Sequence, residues 1–394
     1  MKFFISIFSG SLLSQVLGIG IMLALVKFYS VEAFGLYATI MAWSGLISYV
    51  GALRLNLLLI TSDIYEKRLL FRACQILSLS TTIVSSLLVV ISILFFNLSI
   101  IYISIPILIF CFNSFEILYD YHTSTGNHRK LNIMQLNRVI LVGLSQLALM
   151  KFQYGLIIGT IIGSTIVLII SRIKFDNNKE KWFGASISIV RKNTKYMTIH
   201  TTSSMIPSIG THLPIIFISS FFGYHSSALY AIAEKITTVF VTLMNSAMSR
   251  AVLYSLSNKE KRILFKYGII GIILGVIYII SSYFILPAVV YLIGNKWSGS
   301  IIYLQSLSFW LAAILILSPS YNRAIFFTAT KEIFFIDLLR YGLKPIFYIT
   351  LSVIGIKLHN IVALTSISMY ILAIIVFIFL SLRWKDVSNS FYQK

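Results

Sequence analysis

Residues 73–115 read ACQILSLSTTIVSSLLVVISILFFNLSIIYISIPILIFCFNSF, 43 residues without one charged side chain. A helix rises 1.5 Å per residue, and about 20 apolar residues cross a bilayer core. The stretch is twice the length one crossing needs. Its polar interruption, Asn97-Leu98-Ser99, falls where two crossings would turn. Uncharged runs recur outward from it, at 3–26, 196–233, 267–295 and 358–382. Apolar residues make up 58% of the chain and Asp, Glu, Lys and Arg only 11%, a balance that suits a multi-pass membrane protein and not a soluble fold.

The hydropathy pattern predicts an all-α membrane protein of about twelve transmembrane helices, near 3–26, 35–60, 73–95, 99–121, 134–151, 154–172, 197–221, 228–252, 267–292, 299–323, 334–356 and 359–382. The opening run resembles a signal peptide in having Lys2 ahead of apolar residues. It is too long, and it lacks a small-residue cleavage site before Lys27, so it reads as the first span. With the N-terminus inside, 27 of the 32 Lys and Arg fall in inner segments, four in outer segments (Lys27, Lys151, Lys296, Lys357) and one, Lys235, within a span. This asymmetry predicts that both termini are cytoplasmic. The net charge of +20 is spread over seven inner segments and calls for no nucleic-acid partner.

The longest gap, 173–196, is basic and carries Trp182, Phe183, Ile187, Ile189 and Val190, which predicts an amphipathic segment along the inner surface. It divides the chain into two pseudo-symmetric six-helix lobes, 1–172 and 197–382, followed by a cytoplasmic tail, 383–394. Ser30-Val-Glu-Ala-Phe-Gly-Leu-Tyr-Ala38 joins the first two helices, and Gly223-Tyr-His-Ser-Ser-Ala-Leu-Tyr-Ala231 joins the seventh and eighth. At an offset of 193 the Leu-Tyr-Ala triplets superpose, as expected for parallel repeats about an axis normal to the membrane.

Polar residues inside spans mark a cavity or a helix contact. The eighth helix carries Lys235, Thr238, Thr242, Asn245 and Ser249 at spacings of 3, 4, 3 and 4, which is one helical face. The seventh carries Thr201, Ser204, Ser208 and Thr211 next to His212, and the first carries Ser11, Gln15 and Gly18. For the hydroxyl and glycine members, packing and cavity lining are both open. Lys235 favours a cavity, because a cation needs water or an anion there. Arg54 can serve a substrate or snorkel to the interface. Glu116 and Asp120 share a face and are expected to pair with Arg129 or Arg138. Asp337, Arg340 and Lys344 form a second one-face row. Pro207 and Pro214 fall in one span, and two helix-bending residues there predict a hinge. Cys74 and Cys111 lie in apolar runs and read as inert thiols. No P-loop, HExxH, GxSxG or Cys/His metal spacing occurs, and no cofactor is called for.

Four stretches carry a resemblance: Ser11-Leu-Leu-Ser-Gln-Val16 with Glu32-Ala-Phe-Gly-Leu-Tyr-Ala38; Phe221-Phe-Gly223; Ala228-Leu-Tyr-Ala-Ile-Ala-Glu-Lys235; and Ile293-Gly-Asn-Lys-Trp297. In these, and in length, helix number and charge layout, the chain resembles the Wzx-type polysaccharide flippases of the multidrug/oligosaccharidyl-lipid/polysaccharide exporter superfamily. The resemblance implies two lobes around a central cavity lined by helices one, two, seven and eight. It implies an undecaprenyl-diphosphate-linked oligosaccharide moved across the bacterial inner membrane for O-antigen or other surface polysaccharide, with the polymerase and chain-length machinery as further partners. Arg54 and Lys235 match the expected helices, with Gln15, Thr238, Thr242 and Asn245 beside them and Lys27 near the outer mouth. Cavity cations are fewer than the family leads one to expect, and no second mid-membrane Arg is evident. Two other functions compete. An O-antigen polymerase or ligase would carry a long external loop, whereas every external gap here is short. A cation-coupled drug antiporter would carry a deep acid, and Glu234 is the deepest in the sequence.

Overall fold

The computed structural model describes residues 2–62, 64–172, 182–257, 263–327 and 330–391. The described residues form helices and no strand. Lys174, Lys179 and Lys181 of the basic linker lie outside them, as do the last three residues of the tail.

Two compact units divide the chain, Met1–Ser208 and Ile209–Lys394. The first holds α1 (Lys2–Phe28), α2 (Val31–Ser48), α3 (Leu58–Thr61), α4 (Ile64–Phe96), α5 (Ser104–Ser124), α6 (His128–Ala148), α7 (Gly155–Ile170) and α8 (Trp182–Lys192). The opening turns of α9 (Thr194–Ser257) also belong to it, because Met197 packs into the cluster of Leu55, Leu59, Leu70 and Phe71. Helix α8 lies within the basic linker; its Ile189 is buried in that same cluster, while Arg191 and Lys192 are exposed. Helices α6 and α7 meet at close range. A Cβ on Gly159 or Gly163 would lie 2.7 Å from the backbone of Gln146 or 2.5 Å from that of Val142, so only glycine fits. Helix α4 shows how apolar the outer surface is. Its most hydrophobic window is only 6% buried, and Ile83, Leu87 and Leu94 stand open, a surface that suits hydrocarbon and not water.

The second helix departs from the expected single rod over 35–60. It stops at Ser48, turns through Tyr49–Arg54, and resumes as a 3-10 turn at Leu55–Leu57 leading into α3. Leu53 and Arg54 take left-handed backbone angles, φ 47° and 56°. For residues with a Cβ this costs on the order of 1–2 kcal/mol each, so surrounding contacts must hold the turn. Gly51 permits one of them, since a Cβ there would overlap the Asn113 side chain. The freed Gly51 carbonyl accepts from Thr81 Oγ1 at 3.2 Å.

In the second unit the remainder of α9 is followed by α10 (Ile263–Phe284), α11 (Leu286–Ile293), α12 (Ser300–Phe326), α13 (Thr330–Asp337), α14 (Leu343–Val353) and α15 (Leu358–Phe391). Helix α12 is the core: 78% of its apolar window is buried, between α10 and α15. Tyr278 of α10 stacks on Phe240 of α9 at 5.1 Å, and its hydroxyl donates to the Thr237 carbonyl at 3.4 Å. The expected gap between the seventh and eighth helices is a kink, and two expected spans are interrupted. Gly223 (φ 80°, ψ 171°) breaks α9 where the seventh and eighth helices meet. Pro287, which lacks a backbone donor, starts α11 and ends the ninth span's first rod at Phe284. The eleventh span contains a π-turn at Leu338–Gly342. Pro345 lies four residues after Tyr341, so the Tyr341 carbonyl has no helical donor, and the wider turn relieves the clash with the proline ring. Gly210 of α9 is pressed against that point: a Cβ would lie 2.5 Å from the Tyr341 carbonyl oxygen.

Counting α13–α14 and α10–α11 as single crossings, α2 with α3 as one and α9 as two, twelve apolar crossings account for the described chain, six on each side of the basic linker.

Candidate functional site

Polar side chains gather in both units. In the first, the turn after α2 presents Arg54. Its Nη1 donates to Glu116 Oε1 on α5 at 2.9 Å, and its Nε donates to Ser204 Oγ on α9 at 2.9 Å. The guanidinium carbon lies 4.6 Å over the Tyr49 ring. The left-handed backbone at Leu53 and Arg54 aims this side chain at both partners. Next to it, Asn56 Nδ2 donates to Asp120 Oδ2 at 2.6 Å. The two acids on α5 are therefore bonded directly by the broken second helix, and the expected partner Arg138 attracts Glu116 only at longer range. Arg138 instead lies over the Phe115 and Phe112 rings at 4.5 and 5.4 Å. Arg54 does not snorkel: its side chain is 14% exposed, against 46% for Glu116.

Gln15 on α1 is half-buried, with a buried Oε1 that has no hydrogen-bond partner. Lys27 is exposed near the end of α1. Cys74 and Cys111 are free and buried.

The two expected polar stripes differ in exposure. On the eighth span Lys235 and Thr242 are exposed, and Thr238 and Asn245 are half-buried. The hydroxyls of Thr238 and Thr242 donate to their own helix, at the Glu234 and Thr238 carbonyls, both at 2.7 Å. A threonine hydroxyl that donates in this way can still accept through its oxygen lone pairs. Ser249, at the far end, donates to Asn322 Oδ1 on α12. The seventh-span stripe is different: Thr201 and Ser208 are buried, as helix packing requires. Helical backbone angles run through Pro207 and Pro214, and the break falls at Gly223. We expect Pro207→Ala with Pro214→Ala to lower transport more than membrane abundance, because two missing backbone donors in one rod leave it easier to bend. Transport unchanged at matched abundance would remove the prolines from any hinge.

A third group was not evident from sequence spacing. Lys344, 1% exposed, places Nζ 3.7 Å from Glu234 Oε1, an ion pair slightly beyond hydrogen-bond reach. The same Nζ lies 3.6 Å from the centre of the Trp310 ring and 5.7 Å from that of Tyr230. Tyr348 and Tyr303 close the box edge-on to Tyr230. One turn back, Arg340 is also buried. Its Nη2 donates to the Ile314 carbonyl at 3.1 Å, and its own carbonyl, in the π-turn, accepts from Trp310 Nε1 at 2.8 Å. Arg340, in the eleventh span, is thus held among protein groups. Asp337, Arg340 and Lys344 are all buried, and the π-turn at Leu338–Gly342 falls among them.

No family model matches the chain, and no curated protein matches it. Solved structures do. An inward-facing multidrug-resistance MATE-family transporter of the MOP superfamily superposes with a TM-score of 0.64 at 11% identity, over 95% of this chain and 99% of that one. The lipid II flippase MurJ, in an inward closed conformation, gives 0.68 at 16% identity, over 95% and 87%. A MATE transporter of Vibrio cholerae gives 0.57 at 14% identity, over 98% and 99%. The likeness defines the class by fold: a multi-pass, all-α membrane protein with the architecture of MATE transporters and of MurJ. These neighbours are transporters and flippases, not enzymes.

Proposed function

We propose that this protein is a flippase for a lipid-linked oligosaccharide, moving an undecaprenyl-diphosphate-linked repeat unit from the inner to the outer leaflet of the bacterial inner membrane by alternating access. The observation that carries this reading is the stripe on the eighth span, where Lys235 stands exposed above Thr238, Thr242 and Asn245 on one helical face. A cation within a span costs about 2.5–3.5 kcal/mol on insertion scales, and acidic neighbours, water or a bound anion offset it. A row of hydroxyl and amide groups beside it suits sugar hydroxyls, and a cation suits a diphosphate. Arg54 supplies the second cation. The fold likeness to a lipid II flippase supports a lipid-linked cargo. Gln15 and Lys27 are assigned to the same path, and both termini to the cytoplasm. A polysaccharide polymerase and chain-length proteins would act on the product.

Drug export is the second reading, favoured by the MATE neighbours and by the buried acid Glu234. A strain lacking the gene separates the two, and also tests the polymerase alternative. Single lipid-linked units held on the cytoplasmic face, and released when the gene is restored, are the expected result. Single units reaching the outer face would assign the step to polymerisation. Unchanged lipid-linked pools with raised drug sensitivity would assign it to drug export.

A further inference from the structure

A cavity of about 290 Å³ opens at one end of the second unit, where α10, α12, α13 and α15 come together. It is unrelated to the polar stripe or the buried ion pair. Its lining is divided by chemistry. Arg323 at the end of α12 and Lys331 at the start of α13 supply two cations, and Glu332 supplies one carboxylate. Ser320, 6% exposed, contributes a buried hydroxyl that has no hydrogen-bond partner. The remaining wall is apolar, and two of its rings, Phe335 and Phe379, are 51% and 58% exposed, open to the surroundings of the unit.

We propose that this cavity holds the phosphodiester headgroup of a monoanionic membrane phospholipid. A guanidinium offers a planar fork for two phosphate oxygens, and an ammonium offers a point charge beside it. A buried serine hydroxyl without a partner is an unmet donor, and a phosphate or glycerol oxygen would meet it. Among the described residues the lining carries two cations and one carboxylate, a net charge of one that matches a singly charged phosphodiester. The exposed Phe335 and Phe379 rings would lie along the first methylenes of the acyl chains. Basic pockets between membrane helices, at the level where polar rim meets apolar wall, are where anionic headgroups bind. A free inorganic anion would have no use for that apolar wall.

Native mass spectrometry of the full chain, with phosphatidylglycerol and phosphatidylethanolamine supplied in equal amounts, tests this. The wild type retains phosphatidylglycerol in preference. Arg323→Gln with Lys331→Gln lowers that retention by about tenfold, whereas Arg191→Gln with Lys192→Gln, on exposed α8, leaves it unchanged. Equal retention of the two lipids by the wild type would overturn the proposal. So would undiminished retention by the cavity variant, equal loss by the α8 variant, or displacement of the lipid by millimolar inorganic phosphate. If the cavity variant does not fold, Glu332→Gln decides: stronger retention of phosphatidylglycerol supports the site, and unchanged or weaker retention overturns it.

Discussion

Replacing Lys344 with Ala is expected to lower the melting midpoint of the detergent-solubilised protein by on the order of 10 °C, and replacing Glu234 with Ala to do nearly as much. The pair sits 3.7 Å apart with both side chains under 10% exposed. Removing one partner of a buried pair leaves the other charge without compensation, a cost of about 3–5 kcal/mol. A unit of this size loses about 2–4 °C per kcal/mol. Lys344→Ala also strips a cation from the face of Trp310, and such a contact is worth about 2 kcal/mol when desolvated. The two singles should not add. Glu234→Gln combined with Lys344→Met removes both charges while keeping volume, and should recover much of the loss, because a neutral well-packed pair can equal a buried ion pair. Thermal unfolding of the four proteins checks the cycle. Single variants as stable as the wild type, or a double variant showing the full sum of losses, would mean that the two charges do not support each other.

That pair shows where sequence reasoning stops. Class and span number were legible because hydropathy and charge act residue by residue. The open stripe of Lys235, Thr238, Thr242 and Asn245 was legible for the same reason, since a regular helix keeps its period of 3.6 through it. Lys344 was not. Its spacing from Arg340 and Asp337 places all three on one face only if the helix is regular, and the five-residue π-turn at Leu338–Gly342 breaks that assumption. Pro345 was the available signal, because a proline inside a span frees a carbonyl one turn earlier. The partner, Glu234, lies 110 residues away in sequence, and no spacing rule reaches it. The break in the second helix was hidden differently. Leu53 and Arg54 are not residues that favour a left-handed backbone, so tertiary contacts at Gly51, Thr81 and Glu116 set it against local preference.

Arg54→Ala and Lys235→Ala are expected to reduce surface polysaccharide by at least about tenfold at matched membrane abundance, with Arg54→Lys and Lys235→Arg retaining part of the export. For Arg54 two roles must be separated. It could serve only to hold Glu116 and Ser204, fixing the turn after α2, or it could serve the diphosphate. The geometry permits the second role, because Nε and Nη1 carry the two bonds and Nη2 remains for a phosphate oxygen. Glu116 separates them. With its side chain 46% exposed it is the more easily displaced partner, and a substrate phosphate would compete with it for the guanidinium. If Arg54 acts only through Glu116, Glu116→Ala should impair export as severely as Arg54→Ala. If Arg54 acts on the substrate, Glu116→Ala should retain most export, and Arg54→Ala should abolish it in either background. Binding cannot be too tight, since the cargo must leave. Outward movement of two negative charges through 100 mV, negative inside, gains roughly 4–5 kcal/mol, and two cations that held the diphosphate by more than this would stall release. Full export by Arg54→Ala and Lys235→Ala, singly and together, would remove both residues from the path and leave the fold without its proposed cationic site.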